Sequence, residues 1–129
     1  MNSKAMEVVI VEDDPIYQDL YLSIFEGVEC YTSFASTLSE ASQLCLKLRA
    51  NIIIFDLYLP DGDSLNLITK VRLRLEEQMP YIIVVTGALD EELEKRLLEL
   101  GVDKVLNKPE GLTELKGILA SFWSSSCAV

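Results

Sequence analysis

Apolar residues along this chain collect into five short runs, separated by longer segments in which they recur at helical spacing. The runs are Met6–Val11, Cys30–Phe34, Ile52–Phe55, Tyr81–Val85 and Val102–Leu106. Each is too short for an ordinary helix and rich in β-branched residues, so each is expected to form a buried strand. The segments between them carry helix start signals. Asp14-Pro15 puts a capping side chain before a proline at the first helical position, and Ile16, Leu20 and Ile24 follow every four residues. Thr37 and Glu40 have capping-box spacing ahead of Ala41, Leu44, Cys45 and Leu48. A third helix is expected from Asp63 or Ser64, carrying Leu65, Ile68, Val71 and Leu75. Asp90, Glu91 and Glu92 open a fourth, with Leu93 and Leu97 inward and Gly101 as its stop. Leu112, Leu115, Leu119 and Phe122 mark the fifth, after which Ser124-Ser125-Ser126 reads as fraying.

Strict alternation of strand and helix implies an α/β fold with a parallel sheet covered on both faces by helices. Five such units are most often wound in the strand order 2-1-3-4-5. Ligands then bind beyond the carboxyl ends of strands 1 and 3, where the winding reverses. One domain spanning residues 1–129 is expected, with a core over about 5–123 and a frayed tail at 124–129.

Composition narrows the chemistry. The 129 residues contain no histidine, which excludes imidazole metal sites, histidine-based hydrolase triads and a phosphohistidine formed within this sequence. A net charge of −10 with 11 scattered basic residues leaves no basic footprint, so direct nucleic-acid binding is not expected. No apolar stretch approaches the roughly 20 residues of a membrane span, and the first five residues do not read as a signal peptide. Cys30, Cys45 and Cys127 are odd in number and widely spaced, which suits reduced thiols and a cytoplasmic protein. Cys30 and Cys45 are expected to fill the core.

The charged residues matter because of where the strands release them. Strand 1 runs out into Glu12-Asp13-Asp14 and strand 3 into Asp56. Each alone is an ordinary solvated cap, but the winding brings Glu12, Asp13 and Asp56 into one crevice. Carboxylates so crowded repel unless a cation sits among them, and an oxygen-rich site with water access suits Mg²⁺ or Mn²⁺. Strand 4 ends in Thr86 and strand 5 is followed by Lys108-Pro109. A hydroxyl donor and a mobile ammonium beside that crevice are the groups that hold a phosphoryl oxygen.

With these residues in order, the sequence resembles the receiver domains of two-component response regulators, whose fold is flavodoxin-like. The resemblance covers nearly the whole chain. It rests on Val11-Glu12-Asp13-Asp14-Pro15, the loop from Asp56 to Asp63, Val85-Thr86-Gly87 and Lys108-Pro109. It implies that Asp56 is the phosphoacceptor and Asp13 a direct magnesium ligand, with Glu12 acting largely through water and the Tyr58 carbonyl completing the set. Thr86 would bind a phosphoryl oxygen and report it. Lys108 would pair first with Asp56 and then with the phosphoryl group, and Lys108-Pro109 would be a cis peptide. The donor would be a sensor histidine kinase or a histidine phosphotransfer domain. Output would pass through a partner surface or through domains outside this sequence. The chain would be a self-limiting switch rather than an enzyme with an outside product.

Departures from the family pattern qualify this. Ser64 stands where glycine is usual and Glu110 where an aromatic is often found; both sit near helix starts and are expected to cap. Val105 replaces the Tyr or Phe that follows Thr86 inward on phosphorylation, so the switch pair Thr86 and Val105 is expected to read out differently. Two rival readings remain. A haloacid-dehalogenase-type phosphatase also uses an aspartate after a parallel strand, but wants an acid two residues later, where Tyr58 stands. A receiver-fold interaction module that signals without phosphate would be expected to have lost part of the acidic pair, Asp56 or Lys108. Tyr17, Tyr21 and Tyr31 are read as packing residues, and Trp123 as either a core cap or a docking residue.

Overall fold

The computed structural model describes the backbone of residues 6–74 and 80–127, and side chains as far as residue 121. Five parallel strands form the main sheet: β1 (Met6–Val11), β2 (Cys30–Ala35), β3 (Ile52–Asp56), β6 (Tyr81–Thr86) and β7 (Lys104–Asn107). Their order is β2-β1-β3-β6-β7, which is the expected 2-1-3-4-5 when only main-sheet strands are counted. Between β3 and the next helix lies a small antiparallel hairpin, β4 (Tyr58–Leu59) with β5 (Gly62–Asp63), which the apolar pattern did not announce. The helices are α1 (Pro15–Phe25), α2 (Leu38–Lys47), α3 (Leu65–Arg74), α4 (Glu91–Glu99) and α5 (Leu112–Cys127).

Alternation along the strands splits the core in two. Val9, Val11, Ile53, Phe55, Ile82 and Val84 face α2, α3 and α4, where they meet Ala41, Cys45, Ile68, Val71 and Leu97. Val8, Ile10, Ile52, Ile54, Ile83 and Val85 face the other way, against Tyr21 and Phe25 of α1 and Leu115 and Leu119 of α5. Burial on both faces is why these strands read as continuous apolar runs. Each fully buried aliphatic side chain contributes about 1.5–3 kcal/mol, far more than any difference in helix propensity, so the two layers fix which helix face turns inward.

Most start signals operate as expected. The Asp14 carboxylate accepts from the Ile16 N–H at 2.9 Å, Thr37 Oγ1 from the Glu40 N–H at 3.1 Å and Asp90 from the Leu93 N–H at 2.8 Å. Gly101 ends α4 at a φ of 100°, a conformation that other residues reach only under strain.

Several expectations need correction. In α1 the stripe Ile16, Leu20, Ile24 is not the inner one: Ile16 is 70% and Leu20 42% exposed, while Tyr21 and Phe25 are buried. The helix is apolar over a broad arc, and the large aromatics of the adjacent stripe take the core. Tyr31 is 62% exposed on the edge strand β2 rather than packed. β7 starts at Lys104, not Val102, because the Val102 N–H donates to the Leu97 carbonyl and closes the end of α4. α5 continues through Ser124–Ser126 to Cys127, since an established helix extends at low cost per residue. Leu75 and the side chains of Phe122 and Trp123 lie outside the described residues.

Candidate functional site

β1 and β3 are hydrogen-bonded neighbours, and their carboxyl ends release Glu12-Asp13 and Asp56 side by side. Carboxylate oxygens of Glu12, Asp13 and Asp56 lie within 4.8 Å of one another. Asp56 is the last residue of β3 and pairs in register with Val85, the residue before Thr86. Next to β6, β7 runs out into Lys108, whose N–H donates to the Thr86 carbonyl at 2.8 Å. The Lys108-Pro109 peptide is cis. The loop is completed by Gly111, whose N–H reaches the Asn107 carbonyl at 2.6 Å; a Cβ there would come within 2.5 Å of that oxygen, so glycine is required by the close approach.

Lys108 projects into the acidic crevice. Its Nζ donates to Glu12 Oε1 at 2.8 Å and to Asp56 Oδ2 at 3.3 Å. The Tyr17 ring lies beneath the same nitrogen, with its centroid 4.0 Å away. Glu12, only 1% exposed, is tied on every side. Its Oε2 accepts from the Asp14 N–H at 3.1 Å, its carbonyl from Gln18 Nε2 at 2.7 Å, and its own N–H donates to the Ala35 carbonyl at 2.9 Å. Burial holds the Glu12 carboxyl above its ordinary range, and the Lys108 and Asp14 hydrogen bonds only partly offset that. For Lys108 burial acts against the charged form, but the Glu12 hydrogen bond and the Asp56 charge outweigh it and hold the ammonium above its usual range. Below the crevice, burial first and then the charges of Glu12 and Asp56 push the Tyr21 hydroxyl upward, which keeps it neutral.

Two further groups bear on Asp56. Thr86 is buried at the end of β6, and its Oγ1 accepts from the Ala88 N–H at 3.3 Å, a bond that uses a lone pair and not the hydroxyl proton. Ser64, fully buried, does not cap α3 with its side chain as expected. Its hydroxyl donates to the Asp56 carbonyl at 2.6 Å, while its N–H donates to the Leu57 carbonyl at 2.8 Å. Ser64 thus staples both ends of the hairpin loop to the strand carrying Asp56. The Glu110 carboxylate likewise accepts from the Asn107 side chain, at 3.3 Å, rather than capping α5. Tyr58 presents its ring to solvent, 58% exposed. Val105 is buried in the core layer that also holds Leu97, with Leu89 and Leu93 packed against that layer.

The structure therefore gathers Glu12, Asp13, Asp56 and Lys108, and sets Thr86 on the neighbouring strand end. Sequence reasoning missed the contact of Tyr17 with Lys108 and the bond from Ser64 to Asp56.

A sequence profile described as the response regulator receiver domain matches residues 8–120. The chain belongs to that family. Among curated relatives it is 31% identical to a probable C4-dicarboxylate response regulator, DctR, of Priestia megaterium, over 96% of this chain and 54% of that protein. It is 34% identical to the transcriptional regulatory protein PmrA of Pectobacterium parmentieri, over 86% of this chain and 49% of that protein. The receiver thus spans about half the length of these relatives. Among solved structures, a CheY-like receiver domain protein from Methanospirillum hungatei superposes with a TM-score of 0.80 at 26% identity, covering 95% of this chain and 96% of that one. The receiver domain of the sensor histidine kinase PA1611 from Pseudomonas aeruginosa superposes at 0.78 and 22% identity, over 93% and 98% of the two chains; that structure has a magnesium ion in its active-site cleft. No helix among the described residues is long and apolar enough to cross a membrane.

Proposed function

We propose that Asp56 takes a phosphoryl group from the phosphohistidine of a partner, a sensor histidine kinase or a histidine phosphotransfer domain, and loses it by slow hydrolysis. The observation that carries this reading is the convergence of two further carboxylates, Glu12 and Asp13, and the Lys108 ammonium on Asp56 at the reversal point of the sheet. An Asp56 oxygen attacks phosphorus, the bond from phosphorus to the donor's imidazole nitrogen breaks, and an acyl phosphate forms on Asp56. A carboxylate is a weak nucleophile, so the gain must come from alignment and from neutralising charge on the equatorial phosphoryl oxygens.

The residues present fit a hard divalent cation. Glu12, Asp13 and Asp56, with the Tyr58 carbonyl, are the oxygen donors that would hold Mg²⁺ or Mn²⁺. Once bound, such an ion supplies positive charge against the phosphoryl oxygens. Lys108 supplies a second positive charge and exchanges its Asp56 contact for a phosphoryl oxygen. Thr86 donates the hydroxyl proton that its contact with Ala88 leaves unused. Water attacking the acyl phosphate must pass the Tyr58 ring and Ala88, which offers no polar group to orient it, so hydrolysis is slow. The result is a self-limiting switch whose output passes to a partner surface or to domains such as those completing its longer relatives.

The test is intact mass after incubation with a small phosphodonor. The reading requires a gain of one phosphoryl group that depends on a divalent cation and is absent in Asp56→Asn. Labelling that survives chelator, or that is equal in the variant, contradicts it, and no labelling at all favours a receiver fold that signals without phosphate.

A further inference from the structure

Tyr17 takes no part in the chemistry described above, yet its ring is the third group around the Lys108 ammonium. The two carboxylates hold the nitrogen by hydrogen bonds at 2.8 and 3.3 Å, while the ring centroid lies 4.0 Å away. That is well inside the roughly 6 Å over which a cation is drawn to an aromatic face. The ring is itself anchored. Tyr17 sits in the first turn of α1, whose start is fixed by the Asp14 cap and Pro15, and it packs against the core layer that holds Tyr21 and Phe25.

Such a wall answers a specific problem. A lysine side chain is long, flexible and strongly hydrated, and an ammonium that wandered into solvent would leave Asp56 to face an incoming anion without it. Of its two carboxylate contacts, the longer one, to Asp56, is given up for a phosphoryl oxygen when that residue is phosphorylated, which leaves Glu12 and the ring as the restraints that do not change partner. The ring attracts the cation and accepts no proton from it.

We propose that Tyr17 is a positioning residue for Lys108: its ring face holds the ammonium in the crevice beside Asp56. This rests on the reading of Asp56 as phosphoacceptor. A leucine in the same place would fill similar space without the electron-rich face, and a phenylalanine would keep the face without the hydroxyl.

The labelling rate with a small phosphodonor, at fixed Mg²⁺, is compared for the native chain, Tyr17→Phe, Tyr17→Leu, and chains carrying progressively fluorinated phenylalanine at position 17. Fluorination drains the ring face while nearly preserving its shape, so a purely packing role would not respond to it. Phe is expected within about twofold of native, and Leu slower by about three- to tenfold. The fluorinated rings should fall in order of fluorine count. Equal rates for Phe, Leu and the fluorinated rings, or a faster Leu variant, would overturn the proposal.

A second arm needs no phosphorylation. The ε-methylene protons of Lys108 should show an upfield ring-current shift by NMR in the native and Phe chains, lost in the Leu chain. If the native chain takes no label, the phosphoacceptor reading fails, and this arm alone decides whether the ring holds Lys108. Unshifted Lys108 protons in the native chain would overturn the hold itself.

Discussion

The ammonium of Lys108 stands closer to Glu12 than to Asp56, 2.8 Å against 3.3 Å. Glu12 is the more deeply buried of the two acids, so the lysine is its main compensation in a site where an unpaired carboxylate is expensive. Lys108→Met should therefore lower stability in chelator by about 1–3 kcal/mol. Asp13→Asn, which removes one of three like charges from an exposed position, should raise it. Denaturant melts of both variants with and without Mg²⁺ check this, and Mg²⁺ should restore more stability to Lys108→Met than it adds to the native chain. A shift in the same direction for both variants in chelator would contradict a crowded acidic crevice.

Ser64 is tied to Asp56 through the backbone. Its hydroxyl gives the buried Asp56 carbonyl a donor at 2.6 Å, and a buried acceptor left alone costs about 1–3 kcal/mol. Ser64→Ala should lose that much in equilibrium unfolding while keeping the same denaturant slope. A loss below about 0.3 kcal/mol would mean that the carbonyl finds another donor and that the staple is incidental.

Asp61 caps a helix to which it is not joined. From the turn of the β4–β5 hairpin its carboxylate accepts from the N–H groups of Leu38 and Ser39, at 2.8 and 3.3 Å, at the start of α2. The Leu38 hydrogen bond holds its pKa below the ordinary carboxylate value of 3.8. A folded value lower than the unfolded one stabilises the fold above the unfolded value, and the benefit fades as pH falls through the folded one. The difference in melting temperature between native and Asp61→Ala should accordingly be constant from about pH 7 to pH 5 and shrink below about pH 4. A difference that grows as the solution is acidified would contradict the cap.

Most of this architecture could be read from the chain because parallel strands buried on both faces leave continuous apolar runs, and caps such as Asp14 and Thr37 act within three residues of themselves. The site residues at the strand ends were legible for a related reason: once the strand order is known, the ends of β1 and β3 must be neighbours. The failures involve competition or distance. Tyr21 and Phe25 outcompete Ile16 and Leu20 for the α1 interface, a matter of side-chain volume that spacing does not encode. Ser64 could cap its own helix, and only closure of the hairpin gives its hydroxyl the Asp56 carbonyl instead. The contact of Tyr17 with Lys108 joins the first helix to the last loop and leaves no local signal.

Val105 bears on how the switch is read. It is β-branched and buried in the core layer that also holds Leu97, with few rotamers and little volume to exchange. Activation by beryllofluoride should therefore shift amide resonances mainly in residues 86–93, with β7 and α5 shifting less, whereas Val105→Tyr should extend the shifts into β7. Equal shifts in both regions of the native chain would mean that a relay through β7 operates without an aromatic ring.

The central claim is that Asp56 itself carries the phosphoryl group, and trapping the acyl phosphate tests it most directly. Borohydride reduces an aspartyl phosphate to homoserine, which tandem mass spectrometry of the peptide spanning Phe55–Leu57 can place. The account predicts homoserine at position 56, only after treatment with phosphodonor and divalent cation, and none at Asp13 or Glu12. Homoserine at another acidic residue, or a phosphoryl group that borohydride does not convert, would contradict it.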